Sequence, residues 1–247
     1  MHSATGDLPY PSAGAVDVIT QDIADLVYVV IAAYNEQSTI AATVLSVRKR
    51  YLNVIVVDDG SNDATGEWAR RAGATVLRHI LNRGQGAALQ TGIDYALRHG
   101  AEVVVTFDAD GQHHSEDIAS LIAPIARSES DVALGSRFLE HAAGIPITRR
   151  TLLRAALLFT RLASGLNLSD THNGLRAFSR RAASLLELRQ DRMSHASEIL
   201  DRIRTHRLHY VEIPTRVIYT DYSRRKGQRT LSALSVLFDY FIDKVLP

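Results

Sequence analysis

Two aspartates stand one residue apart at the end of the apolar run VVVTFDADGQHH, residues 103–114. Burying one carboxylate without a partner is costly, and bringing two together adds their mutual repulsion. Asp108 and Asp110 must therefore face solvent or share a positive charge. Mg2+ or Mn2+ suits the second arrangement. Such hard cations prefer oxygen ligands and take one or two carboxylates alongside substrate phosphates. Asp110, with Asp108 and the carbonyl of Gln112 nearby, fits that donor set. These cations do not require nitrogen ligands, so His113 and His114 are expected to be solvent-exposed.

Two other chemistries use closely spaced aspartates. An EF-hand calcium loop needs a preceding helix and a glycine at its sixth position. Here a strand precedes and Gly111 is fourth, which excludes it. A phosphatase of the haloacid-dehalogenase type also ends an apolar strand in Asp-x-Asp-Gly, with one nucleophilic and one acid/base aspartate. That motif belongs to a first strand and is followed by Thr; here it falls midway along the chain and Gln112 follows. The alternative stays open on the residues alone.

Further polar clusters accompany these aspartates: AYNE at 33–36, DDGSND at 58–63, GSR at 135–137 and SDTHNG at 169–174. The stretch NRGQGAALQTG, 82–92, is a glycine-rich turn entering a helix, and backbone amides around Gly84 and Gly86 can approach an anion closely. It is not the dinucleotide fingerprint, because the third glycine is missing and it does not follow the first strand. The sequence has no cysteine, which excludes disulfides, thiolate metal sites and cysteine nucleophiles.

Short apolar runs alternate with helical patterns, and this alternation places the clusters. Strands are expected at 26–33, 53–60, 75–80, 102–107 and 131–137, with helices near 38–50, 63–72, 85–99 and 115–127. Continuous apolar strands separated by helices indicate an α/β fold: a mostly parallel central sheet with helices on both faces. Nearly every polar cluster then falls just after a strand, at the rim where open α/β sheets bind ligands. Beyond residue 139 the pattern turns helical. A helix over 148–166 would carry Arg150, Arg154 and Arg161 on one face, another covers 194–205, an extended segment 208–219, and an amphipathic helix 229–246. The expected organisation is a loose extension (1–25), a main domain (26–228, divided near 139) and a C-terminal helix (229–247).

The net charge of +1 hides an asymmetry: residues 1–140 hold 10 basic and 18 acidic side chains, residues 141–247 hold 18 and 9. Nearly all the later bases are arginine, which binds phosphates bidentately. Nucleic acid is not the expected partner. No stacking platform is evident, and the acidic rim repels phosphates unless a metal intervenes.

With AYNE, VVDDGSNDAT, NRGQGAA, FDADGQH and GSR in this order, the chain resembles family 2 glycosyltransferases of the GT-A fold over residues 27–240. The resemblance implies that Ala33, Tyr34 and Glu36 lie beside the nucleotide of a nucleotide-sugar donor. Asp59, with Asp58, is implied to accept from the base, although both could instead cap the following helix together with Ser61 and Asp63. Asp108 is implied to reach ribose or metal, and Asp110 to be the main metal ligand, helped by Gln112. SDTHNGLRAFSR resembles the D-x-x-x-G-x-R-A-F segment of polyprenyl-phosphate sugar transferases. YSRRKGQRTLS resembles their basic loop over the donor phosphates, which implicates Arg224 and Lys226. Gly227 matches that loop, whereas Arg229 replaces the usual serine, and His172–Asn173 departs from the usual residues before Gly174.

The same resemblance assigns the lipid phosphate to Arg137 and Arg149. Such an acceptor is already ionised and needs no general base. An acceptor hydroxyl would need one, and Asp170 is then the candidate, with Glu198 second. A salt bridge from Asp170 to Arg176 is the alternative role. A nucleotide-sugar-binding protein without catalysis is the remaining reading. No apolar run approaches the ~18 residues of a membrane span and no signal-peptide pattern opens the sequence. The expectation is a cytoplasmic enzyme, peripheral at the inner membrane face, docking on lipid or on a small membrane protein.

Overall fold

The computed structural model describes residues 23–139, 166, 168–171, 173–188 and 195–217. Among the described residues seven strands form one sheet: β1 (Val27–Ala33), β2 (Asn53–Asp58), β3 (Thr75–Arg78), β4 (Val103–Asp108), β5 (Val132–Ser136), β6 (Arg176–Ser179) and β7 (Tyr210–Pro214), in the order β3-β2-β1-β4-β6-β5-β7. β1 pairs in parallel with both β2 and β4, β2 with β3, and β5 with β7. Of these seven strands β6 alone runs against its neighbours, β4 and β5. Periodicity carries no strand direction, so this reversal is absent from the sequence reading, while the mostly parallel sheet agrees with it.

Side-chain alternation divides the strands between two cores. Val29, Ile31, Val54, Val56, Val105 and Phe107 face α1 (Ile40–Arg48), α2 (Thr65–Arg71) and α4 (Asp117–Ala126), where Ile40, Val44, Ala69, Ile118 and Leu121 meet them. Val30, Ile55, Val57, Val104 and Phe178 face α3 (Gln85–Arg98), α5 (Arg180–Ser184) and α6 (His195–Thr205), which contribute Leu89, Ile93, Ala182, Ile199 and Ile203. Helices therefore cover both faces. Gly92 brings α3 close to the sheet, since a Cβ there would lie 2.3 Å from Cγ1 of Val30. Phe178 is fully buried on the reversed strand. Its replacement by alanine is expected to cost roughly 3–5 kcal/mol, read as a lower urea midpoint with unchanged slope.

The register aligns the strand ends. Ala33 lies opposite Asp58, and Ala32 opposite Asp108. The residues that follow β1, β2 and β4 are thereby delivered to one rim of the sheet. Among the described residues no helix is long and apolar enough to cross a membrane. The helices expected over 148–166 and 229–246, and most of the extension 1–25, lie outside the described residues.

Candidate active site

The loops after β1 and β2 are sewn together by side chains of AYNEQ and DGSNDAT. The Asn35 N–H donates to Ser61 Oγ (3.0 Å), Glu36 N–H to Thr65 Oγ1 (2.8 Å) and Asn62 N–H to Asn35 Oδ1 (2.9 Å). Asn35 adopts φ 55°, a left-handed conformation that Asn tolerates better than most residues. Asp63 accepts from the Thr65 N–H (3.0 Å) at the first residue of α2. The motif is thus first a scaffold: it fixes Tyr34 and Glu36 in the lining of a cleft of about 450 Å³. That cleft is lined by Ala33, Tyr34, Glu36 and Asp59 on one side and by Asp108, Asp110, Gly174 and Arg176 on the other.

Asp58 and Asp59 part company. Asp58 ends β2, is fully buried, does not line the cleft and accepts from the Ser61 N–H (2.9 Å), with Arg78 3.6 Å away. This corrects the expectation that it reaches the donor: it holds the loop. Asp59 lines the cleft, yet its oxygens accept from the backbone of Arg83 (2.9 Å) and Gly84 (2.7 Å) and meet Nδ1 of His79 at 2.7 Å. Two of its roughly four acceptor positions tie the glycine-rich turn to the β2 rim, and a third meets His79. Gly84, at φ 91°, lines the cleft; Gly86 is buried inside α3 and does not.

The DADGQ segment forms the floor. Asp108 Oδ2 meets His113 Nε2 at 2.9 Å, and its Oδ1 accepts from Gln85 Nε2 at 3.3 Å. Burial raises the carboxyl, but the His113 hydrogen bond and the charges of His113, Arg176 and His195 outweigh it and hold the group below its usual range. The His113 side chain is only 6% exposed, against the expectation of solvent exposure, because it serves Asp108 rather than water. Asp110 differs. Among the described residues its carboxylate accepts only from Gln112, through the backbone N–H (3.0 Å) and Nε2 (2.6 Å), so Gln112 supports the aspartate with its side chain. Burial and the nearby charges of Asp108 and Glu36 raise its carboxyl, despite the Gln112 hydrogen bond and His113. An acidic group strained in this way, beside a better compensated carboxylate, fits a divalent cation. Among the described residues no three His, Cys, Asp or Glu side chains are grouped so as to hold a metal ion on their own.

Gly174 explains the glycine of D-x-x-x-G. A Cβ there would lie 2.2 Å from Asp108 Oδ2, so the backbone itself roofs the carboxylate. Gly174→Ala is expected to destabilise the fold by about 1–3 kcal/mol through overpacking and to weaken cation-dependent donor binding. Thermal melting together with calorimetric titration of the donor checks both effects. Behind this glycine, Arg176 is buried, and loss of hydration depresses its basicity to about 10 even though Asp108 and Asp170 favour its charge.

On the other flank, Arg137 follows β5 and binds Asp170 in a bidentate pair, Nε to Oδ2 at 2.7 Å and Nη2 to Oδ1 at 2.9 Å. The Arg137 backbone N–H adds a third bond to Oδ2 at 3.2 Å. The pairing expected with Arg176 is therefore made mainly with Arg137. Both residues sit beside the cleft rather than in its lining. Sequence reasoning missed His79, Gln85, His195 and Glu212. Glu212 alone left a clear signal, as an isolated acid inside the apolar segment YVEIP. Arg149, Arg224 and Lys226 lie outside the described residues.

A seven-stranded, mostly parallel sheet with helices on both faces is the fold of GT-A glycosyltransferases. The glycosyl transferase family 2 model matches residues 28–186, and the chain belongs to that family. It is 38% identical over 226 residues to an uncharacterized protein of Methanocaldococcus jannaschii, covering 90% of this chain and 93% of that one. It is 32% identical over 235 residues to the UDP-N-acetylglucosamine–dolichyl-phosphate N-acetylglucosaminyltransferase of Methanococcus voltae, covering 86% and 94%. The polyprenol monophosphomannose synthase of Mycolicibacterium smegmatis is 31% identical over 170 residues, covering 65% and 64%. The fold matches that of glucosyl-3-phosphoglycerate synthase from Mycobacterium tuberculosis, solved with Mn2+ and UDP-glucose, with a TM-score of 0.68, 22% identity and coverage of 97% and 83%. The chain is a nucleotide-sugar-dependent glycosyltransferase, which sets aside both the phosphatase and the non-catalytic readings.

Proposed function

We propose that this enzyme transfers a hexose from a nucleotide-sugar to a polyprenyl phosphate, with inversion at the anomeric carbon and with Mg2+ or Mn2+ bound. The observation that carries the acceptor is the Asp170–Arg137 pair. The carboxylate expected to be a general base has both oxygens engaged by a guanidinium, so the acceptor flank offers a fixed cation rather than a base. An acceptor that is already an anion needs nothing else. The curated relatives named for dolichyl-phosphate and polyprenol transfer agree with this reading.

Tyr34, Glu36 and Asp59 hold the nucleoside end, with Ala33 and Gly84 giving close backbone approach. Asp110 and Asp108 would hold the cation, which when bound neutralises charge on the departing nucleoside diphosphate. Arg137 receives the acceptor phosphate and keeps its oxyanion in line with the sugar C1. That oxygen forms the new bond to C1 from the face opposite the diphosphate. The C1–oxygen bond to the diphosphate breaks with both electrons on the leaving group, and no proton changes hands. Arg149, Arg224 and Lys226 are assigned by motif to the acceptor and donor phosphates.

The test combines protein, Mg2+ or Mn2+, undecaprenyl or dolichyl phosphate in detergent, and a panel of labelled nucleotide-sugars. Label should move into the organic phase as a product labile to mild acid. Slow donor hydrolysis without lipid labelling, together with transfer to a sugar hydroxyl, would overturn the acceptor assignment.

A further inference from the structure

The acceptor flank contains a second, half-buried carboxylate that the transfer reaction does not use. Glu212 lies on β7, opposite Leu134 of β5. Its oxygens accept from the Ser169 N–H (2.8 and 2.9 Å), the Ser169 hydroxyl (2.8 Å) and the Asp170 N–H (3.1 Å). The dipeptide that carries Asp170 thus hangs from one side chain in a neighbouring strand. Ser169 Oγ also lies 2.6 Å from Ser136 Oγ, which accepts from the Phe138 N–H (3.3 Å). Since the Ser169 hydroxyl donates to Glu212, the Ser136 hydroxyl must donate to Ser169. The proton directions along Phe138, Ser136, Ser169 and Glu212 are all set by the terminal carboxylate. Ser136 and Phe138 are the two residues flanking Arg137.

We infer that Glu212 is a positioning residue that sets the aim of the Arg137 guanidinium, acting through Ser169 and Asp170 on one side and through Ser136 on the other. The inference rests on the polyprenyl-phosphate reading for its consequence, though not for its geometry. Burial and the charge of Asp170 push the Glu212 carboxyl up, against the hydrogen bonds from Ser169 and Asp170. A tie needed only for stability could be made by a neutral side chain without that repulsion. What a neutral amide cannot do is accept from all these donors together, because half of its hydrogen-bonding edge donates. Bidentate pairing then converts a fixed Asp170 into a fixed fork, whose side chain is 33% exposed at the rim. A guanidinium aimed this way meets a phosphate in one orientation only.

The experiment is a double-mutant cycle on the full chain, using undecaprenyl phosphate in detergent and the donor that the wild type uses. Glu212→Gln should raise the acceptor KM roughly tenfold, the scale of lost hydrogen bonds to a charged group, and leave the donor KM unchanged. In an Arg137→Lys background the same substitution should cost less than about twofold, because it no longer has a fork to misdirect. Additive effects, or an equal rise in donor KM, would overturn the inference. Ser169→Ala, which keeps both backbone donors, should give an intermediate effect and guards against a variant that misfolds. A second readout needs no acceptor. With 15N-arginine label, the Arg137 Nε–H signal should be protected from exchange in the wild type and lose protection in Glu212→Gln. Retained protection sinks the positioning role. Lost protection in an enzyme whose wild type labels no lipid phosphate sinks the acceptor reading alone.

Discussion

Asp110→Ala is expected to lower turnover by roughly 10²- to 10³-fold, the scale of losing one fixed electrostatic partner of developing charge, while the fold survives. The expectation follows from the difference between the two aspartates. Asp108 is compensated within the protein by His113, Gln85 and nearby cationic charge. Asp110 has Gln112 as its support and is raised by burial, by Asp108 and by Glu36. Asp110 is therefore the carboxylate proposed to hold the cation. Because its folded-state pKa is raised, ionised Asp110 costs stability as pH climbs above the unfolded value, and the cost is absent at lower pH where both states are protonated. In EDTA at neutral pH, Asp110→Asn should melt at or above the wild-type temperature. Added Mn2+ with nucleoside diphosphate should stabilise the wild type and leave the variant unmoved. Full activity in Asp110→Ala, or equal stabilisation of both proteins, would refute the cation assignment.

Much of this site was legible because strand ends are. Apolar runs at 27–33, 53–57 and 103–107 locate three strands, and the parallel register brings their trailing residues to one rim. The fates of adjacent polar residues were not legible. Asp58 and Asp59 look equivalent in sequence, but the pleat turns successive side chains to opposite faces. Asp58 goes inside under α2, where Gly66 leaves room for it, and Asp59 goes to the cleft. His113 resembles a surface loop residue until Asp108 is seen to need its hydrogen bond. The acceptor flank was hardest, since Arg137, Asp170 and Glu212 come from three distant segments. β6 reverses direction between β4 and β5 to bring those segments together, and no local pattern encodes that reversal.

That juxtaposition gives the sharpest test of what Asp170 does. Arg137→Ala should lower kcat/KM for polyprenyl phosphate by roughly 10²- to 10³-fold, as expected when one member of a buried charged pair at a binding site is removed. Asp170→Asn separates two roles. A general base replaced by its amide leaves acceptor binding intact and destroys kcat. A carboxylate that orients a guanidinium does the reverse. The asparagine still fills the space and keeps one acceptor for Arg137, but the two-point fork at 2.7 and 2.9 Å is lost. Acceptor KM should therefore rise by about tenfold or more, the scale of a weakened charge-assisted hydrogen bond, with kcat falling only a few-fold. The pH profile supplies an independent check. An acceptor phosphate that ionises by itself gives the variant the same acid limb as the wild type, whereas loss of a catalytic base removes that limb. A kcat collapse in Asp170→Asn at unchanged KM would move the enzyme to hydroxyl acceptors. It would also make the Arg137 pair the device that holds a base rather than the one that holds a phosphate.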